Sequence, residues 1–479
     1  GGNFLVTSGV QNFNNGATFN INTPLTLSGG TLNFSTGSDI NLANLTVSGG
    51  TLTGSDTINV SSAFNWTGSS VLRGTGTLNT QSGSTSTLTG YILDLYDSRV
   101  WNNAGTVNWA GRTDYYTYLR TYNSSQFNNI GTFNDLTNST NTGHYALLGG
   151  QASGLINNSG TWNKSGTMNL SWTHQSPFNN TGTVNISQGT FRLDTSGTDT
   201  GTYNAVAGAT TGTFQLNGGT RHFNTGSSIT GGGNFLVSTG TNNFNNGATY
   251  NINTPLTLSG GTLNFSTGSS INVANLTISG GTLTGSDTIN VSNAFNWTGY
   301  NSSLRGTGVL NTLSGSTSTL SERIFNLYDS RIWNNAGTVN WSGIADTYNY
   351  LRTYDKSQIN NTGTFNDLTN STNTGHYTTL GGHSTGQITN SGTWNKSGSI
   401  NLTHTDSPFI NSGTVTVNNG TMRLDYASKN SGAWAIDTNA ILDLNATGMQ
   451  LGHPGQVTGL GSVTFSQSVS FFGKQAVTA

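Results

Sequence analysis

Side chains able to do acid–base or metal chemistry are few in this 479-residue chain, and its 18 acidic residues are scattered. The densest group is Asp94-Leu95-Tyr96-Asp97-Ser98-Arg99, which returns later as Asn326, Asp329 and Arg331. Close carboxylates, often beside calcium or a basic residue, are what polysaccharide-cleaving sites use. One Asp beside one Arg more often makes a surface ion pair. His144-Tyr145 and His376-Tyr377 each follow Thr-Gly, where a loop is expected. Neither has Asp, Glu or His at metal-ligand spacing, so no metal or cofactor is expected there. Neither copy pairs a nucleophile with an adjacent base, and no catalytic residue is assigned. The chain is expected not to be an enzyme.

A denser signal is aromatic. Tyr115, Tyr116, Tyr118 and Tyr122 fall within Asp114–Tyr122, and Tyr348, Tyr350 and Tyr354 fall in the counterpart Asp346–Tyr354. Tyr rings can pack on sugar faces or protein partners while their hydroxyls stay wet. A plainer reading is a strand whose alternate Tyr residues cover the coil and whose Arg is solvated. These seven, with His144, Tyr145, His376 and Tyr377, are the candidate ligand contacts.

The elements that must position them repeat on two scales. Asn3-Phe4-Leu5-Val6 returns as Asn234-Phe235-Leu236-Val237, 231 residues on, and Trp101–Trp109 returns as Trp333–Trp341. Enzymes rarely need two copies of one site, whereas fibres and binding surfaces gain reach and avidity from repetition. Units are expected at 1–231 and 232–458, with 459–479 opening a diverged third unit or ending the array. Within a copy, apolar residues alternate in bursts: Leu25 and Leu27, Leu32 and Phe34, Ile40 and Leu42, Leu45 and Val47, Ile58 and Val60, Phe64 and Trp66. Such alternation predicts short strands with one buried face, separated by turns such as Ser28-Gly29-Gly30-Thr31. Coil starts at Leu25, Leu45 and Phe64 are 20 and 19 residues apart.

Three strands and three turns in about 20 residues make one coil of a parallel β-helix. The fold class predicted is therefore all-β, a single elongated solenoid with about three short strands per coil. A β-sandwich, which needs hairpins and longer strands, is the runner-up. A second template, apolar-Asn-Asn-x-Gly-Thr-apolar-Asn, begins at Trp101, Phe127, Ile156 and Phe178. Its Asn residues are expected in stacked turns, since Asn tolerates left-handed angles and its amide can bond to the same amide one coil away. Spacings of 26, 29 and 22 residues imply loops of unequal length, where function would sit.

Composition agrees. There are 66 Gly, no Cys, 7% charged residues and a net charge of −2, yet 21 Phe, 16 Tyr and 10 Trp are available for burial. Disorder is thereby disfavoured, and neither nucleic acid nor membrane insertion is expected. The Ser/Thr/Asn/Gly richness points to an extracellular or cell-surface location.

Gly201–Thr210, Phe214–Thr220, Ile229–Val237 and the Ser-Gly-Gly-Thr-Leu and Asn-Asn-x-Gly-Thr segments resemble repeats of filamentous-haemagglutinin-like and autotransporter-passenger adhesins. That resemblance implies a right-handed β-helix, surface export and adhesive or matrix roles. The function expected is a non-enzymatic structural or adhesive fibre or stalk segment, presenting loops to a cell surface, glycan or receptor. The alternative is a carbohydrate-binding or polysaccharide-cleaving β-helix. Ice binding is disfavoured because no Thr-x-Thr row repeats. Each end is expected to stack on a further repeat or another copy, because an open coil exposes unpaired backbone.

Overall fold

The computed structural model describes residues 3–20, 23–208, 211–252, 255–452, 456–472 and 476–478. Parts of the repeat segments quoted above, residues 1, 2, 21, 22, 209, 210, 253 and 254, lie outside them. The described residues are all β and turn, with no helix among them. They form two compact units, residues 1–252 and 253–479. Each unit is a right-handed parallel β-solenoid. The copy boundary near residue 231 falls inside the first unit, where Thr213–Phe223 pairs in parallel with Asn234–Phe244. Stacking therefore runs through that boundary without a linker.

One coil of the first unit shows the plan. Val100–Asn103 begins it, Thr106–Trp109 continues it, and Thr117–Thr121 completes it. Each pairs in register with its equivalent one coil on: Trp101 with Phe127, Val107 with Phe133, Tyr118 with Leu147. Three columns of parallel strands result, called here the first, second and third column in that order. Alternation in the sequence becomes alternation of burial. Leu25, Leu27, Leu32, Phe34, Leu45, Val47, Ile58, Val60 and Phe64 are all fully buried, as are Leu256, Leu258, Leu263 and Phe265.

The Asn template forms ladders, although in strands and not in turns as its composition suggested. Asn102 and Asn103 both lie within Val100–Asn103. Left-handed turns use Asp97, Ser98, Asn123 and Ser124 instead. Inside the first column, Asn103 Nδ2 donates to Asn129 Oδ1 at 2.8 Å, Asn129 to Asn158 at 2.7 Å and Asn158 to Asn180 at 2.8 Å. Outside it, Asn102, Asn128 and Asn157 each donate to the preceding coil, to Asn79, Asn102 and Asn128, at 2.9–3.0 Å. Each buried amide of these ladders thus meets a partner that makes its burial tolerable. On the second column the outward row is Thr-x-Asn: Thr106, Thr132 and Thr161 align, and so do Asn108, Asn134 and Asn163. A repeated Thr row does exist, therefore, with Asn in place of the second Thr.

Gly50 shows why turns carry glycine. Its φ is +75°, and a Cβ there would collide with the carbonyl oxygen of Gly30 one coil below. Three arginines, Arg99, Arg221 and Arg331, are buried, and of these Arg221 is paired with a carboxylate, Asp199. Arg99 is fully buried with no hydrogen-bond partner for its guanidinium, and Arg331 repeats the placement. Burial pulls both pKa values down to about 10.

Candidate ligand-contact face

The outward side of the third column, with the corner leading into it, gathers the predicted residues. The long corner between Thr106–Trp109 and Thr117–Thr121 carries Tyr115 and Tyr116, which are 48% and 41% exposed. Asp114, at φ 57°, turns that corner and fastens it to the next coil. Its Oδ1 accepts from Thr140 N at 2.7 Å, Thr140 Oγ1 at 3.0 Å and Ser139 Oγ at 3.2 Å. The Thr140 backbone bond, followed by the hydroxyl bonds, holds the Asp114 carboxyl below its ordinary pKa. Ser139 Oγ lies 3.1 Å from His144 Nδ1, so the corner that sets Tyr116 also sets His144.

Rings from successive coils then meet. Tyr116 lies 4.8 Å from His144 and 4.7 Å from Tyr145, centre to centre, and Tyr118 lies 6.3 Å from Tyr145. Burial and a hydrogen bond with Tyr145 push the Tyr118 pKa up to about 12. Tyr122 stacks on Tyr96 of the previous coil at 4.5 Å and 7°. Tyr115 stands aside from this cluster, under the Arg112 guanidinium at 4.1 Å. Of the predicted first-copy residues, Tyr116, Tyr118, His144 and Tyr145 thus form one cluster, and Tyr122 continues it across Arg120.

The second copy repeats the frame. Tyr348 lies 4.9 Å from His376 and 4.7 Å from Tyr377, Tyr350 lies 6.4 Å from Tyr377, and Tyr354 stacks on Tyr328 at 5.0 Å. Asp346 accepts from Thr372 and Ser371 as Asp114 does from Thr140 and Ser139, and Ser371 Oγ lies 3.0 Å from His376 Nδ1.

Several members of the face escape a reading of local motifs. Tyr96 and Trp172 arrive from neighbouring coils: Leu147 pairs with Trp172, and the Trp172 ring lies 5.6 Å from Tyr145. Arg120 is half-buried where a solvated side chain was expected. It donates Nε to Asp94 Oδ1 at 2.7 Å and Nη2 to Asp94 Oδ2 at 2.8 Å, and the hydrogen bond to Asp94 raises its pKa. The three charges singled out in sequence do not converge. Asp94 faces Arg120, Asp97 faces Arg73 at 2.8 Å, and Arg99 points inward.

Below Tyr377 the second copy assembles a further group. His404 Nδ1 lies 3.2 Å from Asp425 and 3.5 Å from Asp406, and its Nε2 lies 3.1 Å from Thr379 Oγ1. Burial opposes charge on His404, but the bonds to Asp406 and Asp425 outweigh it and raise its pKa. This is the one set of metal-type ligands grouped closely among the described residues. Arg423, 2.9 Å from Asp425, already supplies a cation there. Coil stacking joins His404 to Asp425 across 21 residues, which no short spacing motif reveals.

No helix among the described residues is long and apolar enough to cross a membrane. No known protein family, curated protein or solved structure matches the chain.

Proposed function

We propose that this chain is a non-enzymatic structural and adhesive segment of an extracellular or cell-surface β-helix protein, whose third-column face contacts glycans or a surface receptor. One observation carries the reading: each unit builds the same partly exposed tyrosine and histidine cluster on its own third column, at Tyr116–His144–Tyr145 and Tyr348–His376–Tyr377. Exposed rings with wet hydroxyls offer flat apolar area and hydrogen bonds together, which suits a sugar ring. Two such faces in one chain raise avidity without any new contact. The resemblance of the repeats to filamentous haemagglutinins and autotransporter passengers supports the adhesive role and the surface location. Stacking of coils on further repeats or other copies is part of the same proposal, since parallel strands accept one another along each column.

The alternative, a carbohydrate-binding module or polysaccharide-cleaving enzyme, shares the ligand class. Pairing of Asp94, Asp97 and Asp194 with Arg120, Arg73 and Arg192 counts against cleavage, because each carboxylate is committed to a guanidinium. The test compares glycan-coated surfaces before and after Tyr116→Ala with Tyr348→Ala. Loss of retention with unchanged thermal unfolding is expected. Retention that survives both substitutions, or a fall in polysaccharide chain length during incubation, would remove the proposal.

A further inference from the structure

The two faces share a frame and differ in what they do with its central arginine. In the first copy Asp94 takes both donors of the Arg120 fork. In the second copy the paired position is Asn326, opposite Arg352. Among the described residues Arg352 has no carboxylate within ion-pair distance, whereas Arg305, Arg423 and Arg120 each have one. Asn326 Oδ1 accepts no hydrogen bond. The Arg352 guanidinium lies instead 4.0 Å over the Tyr350 ring, and the Tyr354 hydroxyl is hydrogen-bonded to it.

Neighbouring residues change as well. The outward row Tyr118, Leu147, Trp172, Arg192 becomes Tyr350, Thr379, His404, Arg423. An apolar and an aromatic side chain have given way to a hydroxyl and an imidazole. Asn123 becomes Asp355, Ser124 becomes Lys356 and Gln151 becomes His383, and these three line an open hollow against Tyr354 together with Asp329. A half-buried guanidinium without a counter-ion selects a planar anion that accepts two parallel hydrogen bonds. The Tyr350 ring beside the guanidinium and the Tyr354 hydroxyl bonded to it suit a ring that carries hydroxyls together with that carboxylate.

We infer that Arg352 anchors the carboxylate of a uronate residue in an acidic polysaccharide, and that Asp94 closes the equivalent place in the first copy. The inference rests on the reading of this face as a glycan contact. Calorimetric titration of the full chain tests it, with galacturonate, mannuronate and glucuronate tetrasaccharides and their carboxyl-reduced counterparts as probes. At least one uronate should bind at one site per chain, ten-fold or more tighter than its reduced form. Asn326→Asp, which restores the first copy's own pair, should abolish that preference, as should Arg352→Gln. Asp94→Asn should add a second uronate site. Binding of no uronate, equal binding of acidic and reduced forms, or an unchanged preference in Asn326→Asp overturns the inference. Equal binding of both forms that disappears in Tyr350→Ala with Tyr354→Ala would leave the glycan face standing while removing the role of Arg352. Silence of every probe would remove both.

Discussion

The first and second copies carry the same interior and different faces. Leu45 and Leu276 are equally buried, and Asn103–Asn129–Asn158 and Asn335–Asn361–Asn390 form matching inner ladders at 2.7–2.8 Å. On the third column, by contrast, Asp94 has become Asn326 and Trp172 is replaced by His404. Interior positions answer to every coil above and below, so a substitution such as Leu42 to Val273 stays apolar, while Thr378 in place of Ala146 brings a hydroxyl that is bonded to Thr369. Outward positions answer only to their row. That difference in constraint lets one scaffold carry two chemistries.

The comparison can be broken first at its shared part. Leu45→Asp and Leu276→Asp each bury an unpaired charge and should each cost about 4 kcal/mol. Chemical denaturation should give similar losses for the two; a large inequality would mean that the interiors are not equivalent. Next come the inner ladders. Asn129→Ala and Asn361→Ala each take one hydrogen bond from the buried amides on either side, at about 2 kcal/mol. Hydrogen exchange should show added opening in the adjoining coils.

The faces sharpen the comparison with smaller effects. Asp94→Asn should destabilise the first unit by about 1 kcal/mol, because the pair is charge-assisted but Arg120 keeps partial contact with water. Asn326→Asp should shift the second unit in the opposite direction, read as paired changes in the unfolding midpoint. The smallest effect is in pH. His404 has a raised pKa in the folded state, so its bonds to Asp406 and Asp425 stabilise fully below its unfolded value near 6.5 and are lost as pH rises through the folded value. Asp425 has a lowered pKa, so its share is present above the ordinary carboxylate range and is lost in acid. Thr379, Tyr377 and Arg423 also face His404. A stability loss from pH 6 to 8 should appear in the wild type and vanish in His404→Gln.

Much of the fold was legible because a solenoid turns local repetition into contact. Alternation at Leu25, Leu27, Leu32 and Phe34 named the buried side, and recurrence of the Asn template named the residues that meet across coils. Placement of that template in strands was less legible, since Asn is commonest in turns and only the in-register amide partner makes it favourable in a strand. The Tyr cluster was visible as composition, but Tyr96, Trp172 and His404 were not, because corners of unequal length hide which outward residues align. Arg99 and Arg331 were read as surface charges because burial without a counter-ion is the least expected state of a guanidinium.

The ladders also determine how such a chain changes in length. Asn128 receives from Asn157 and donates to Asn102, so removing its whole coil would bring Asn157 against Asn102 and present each amide with the partner type it had. Loss of a single strand residue would instead turn every following side chain to the wrong side. Corners absorb single insertions, as the spacings of 26, 29 and 22 residues show, while strands admit only complete turns. Growth and shortening of the molecule therefore proceed in whole coils, each leaving the ladder pattern as it found it.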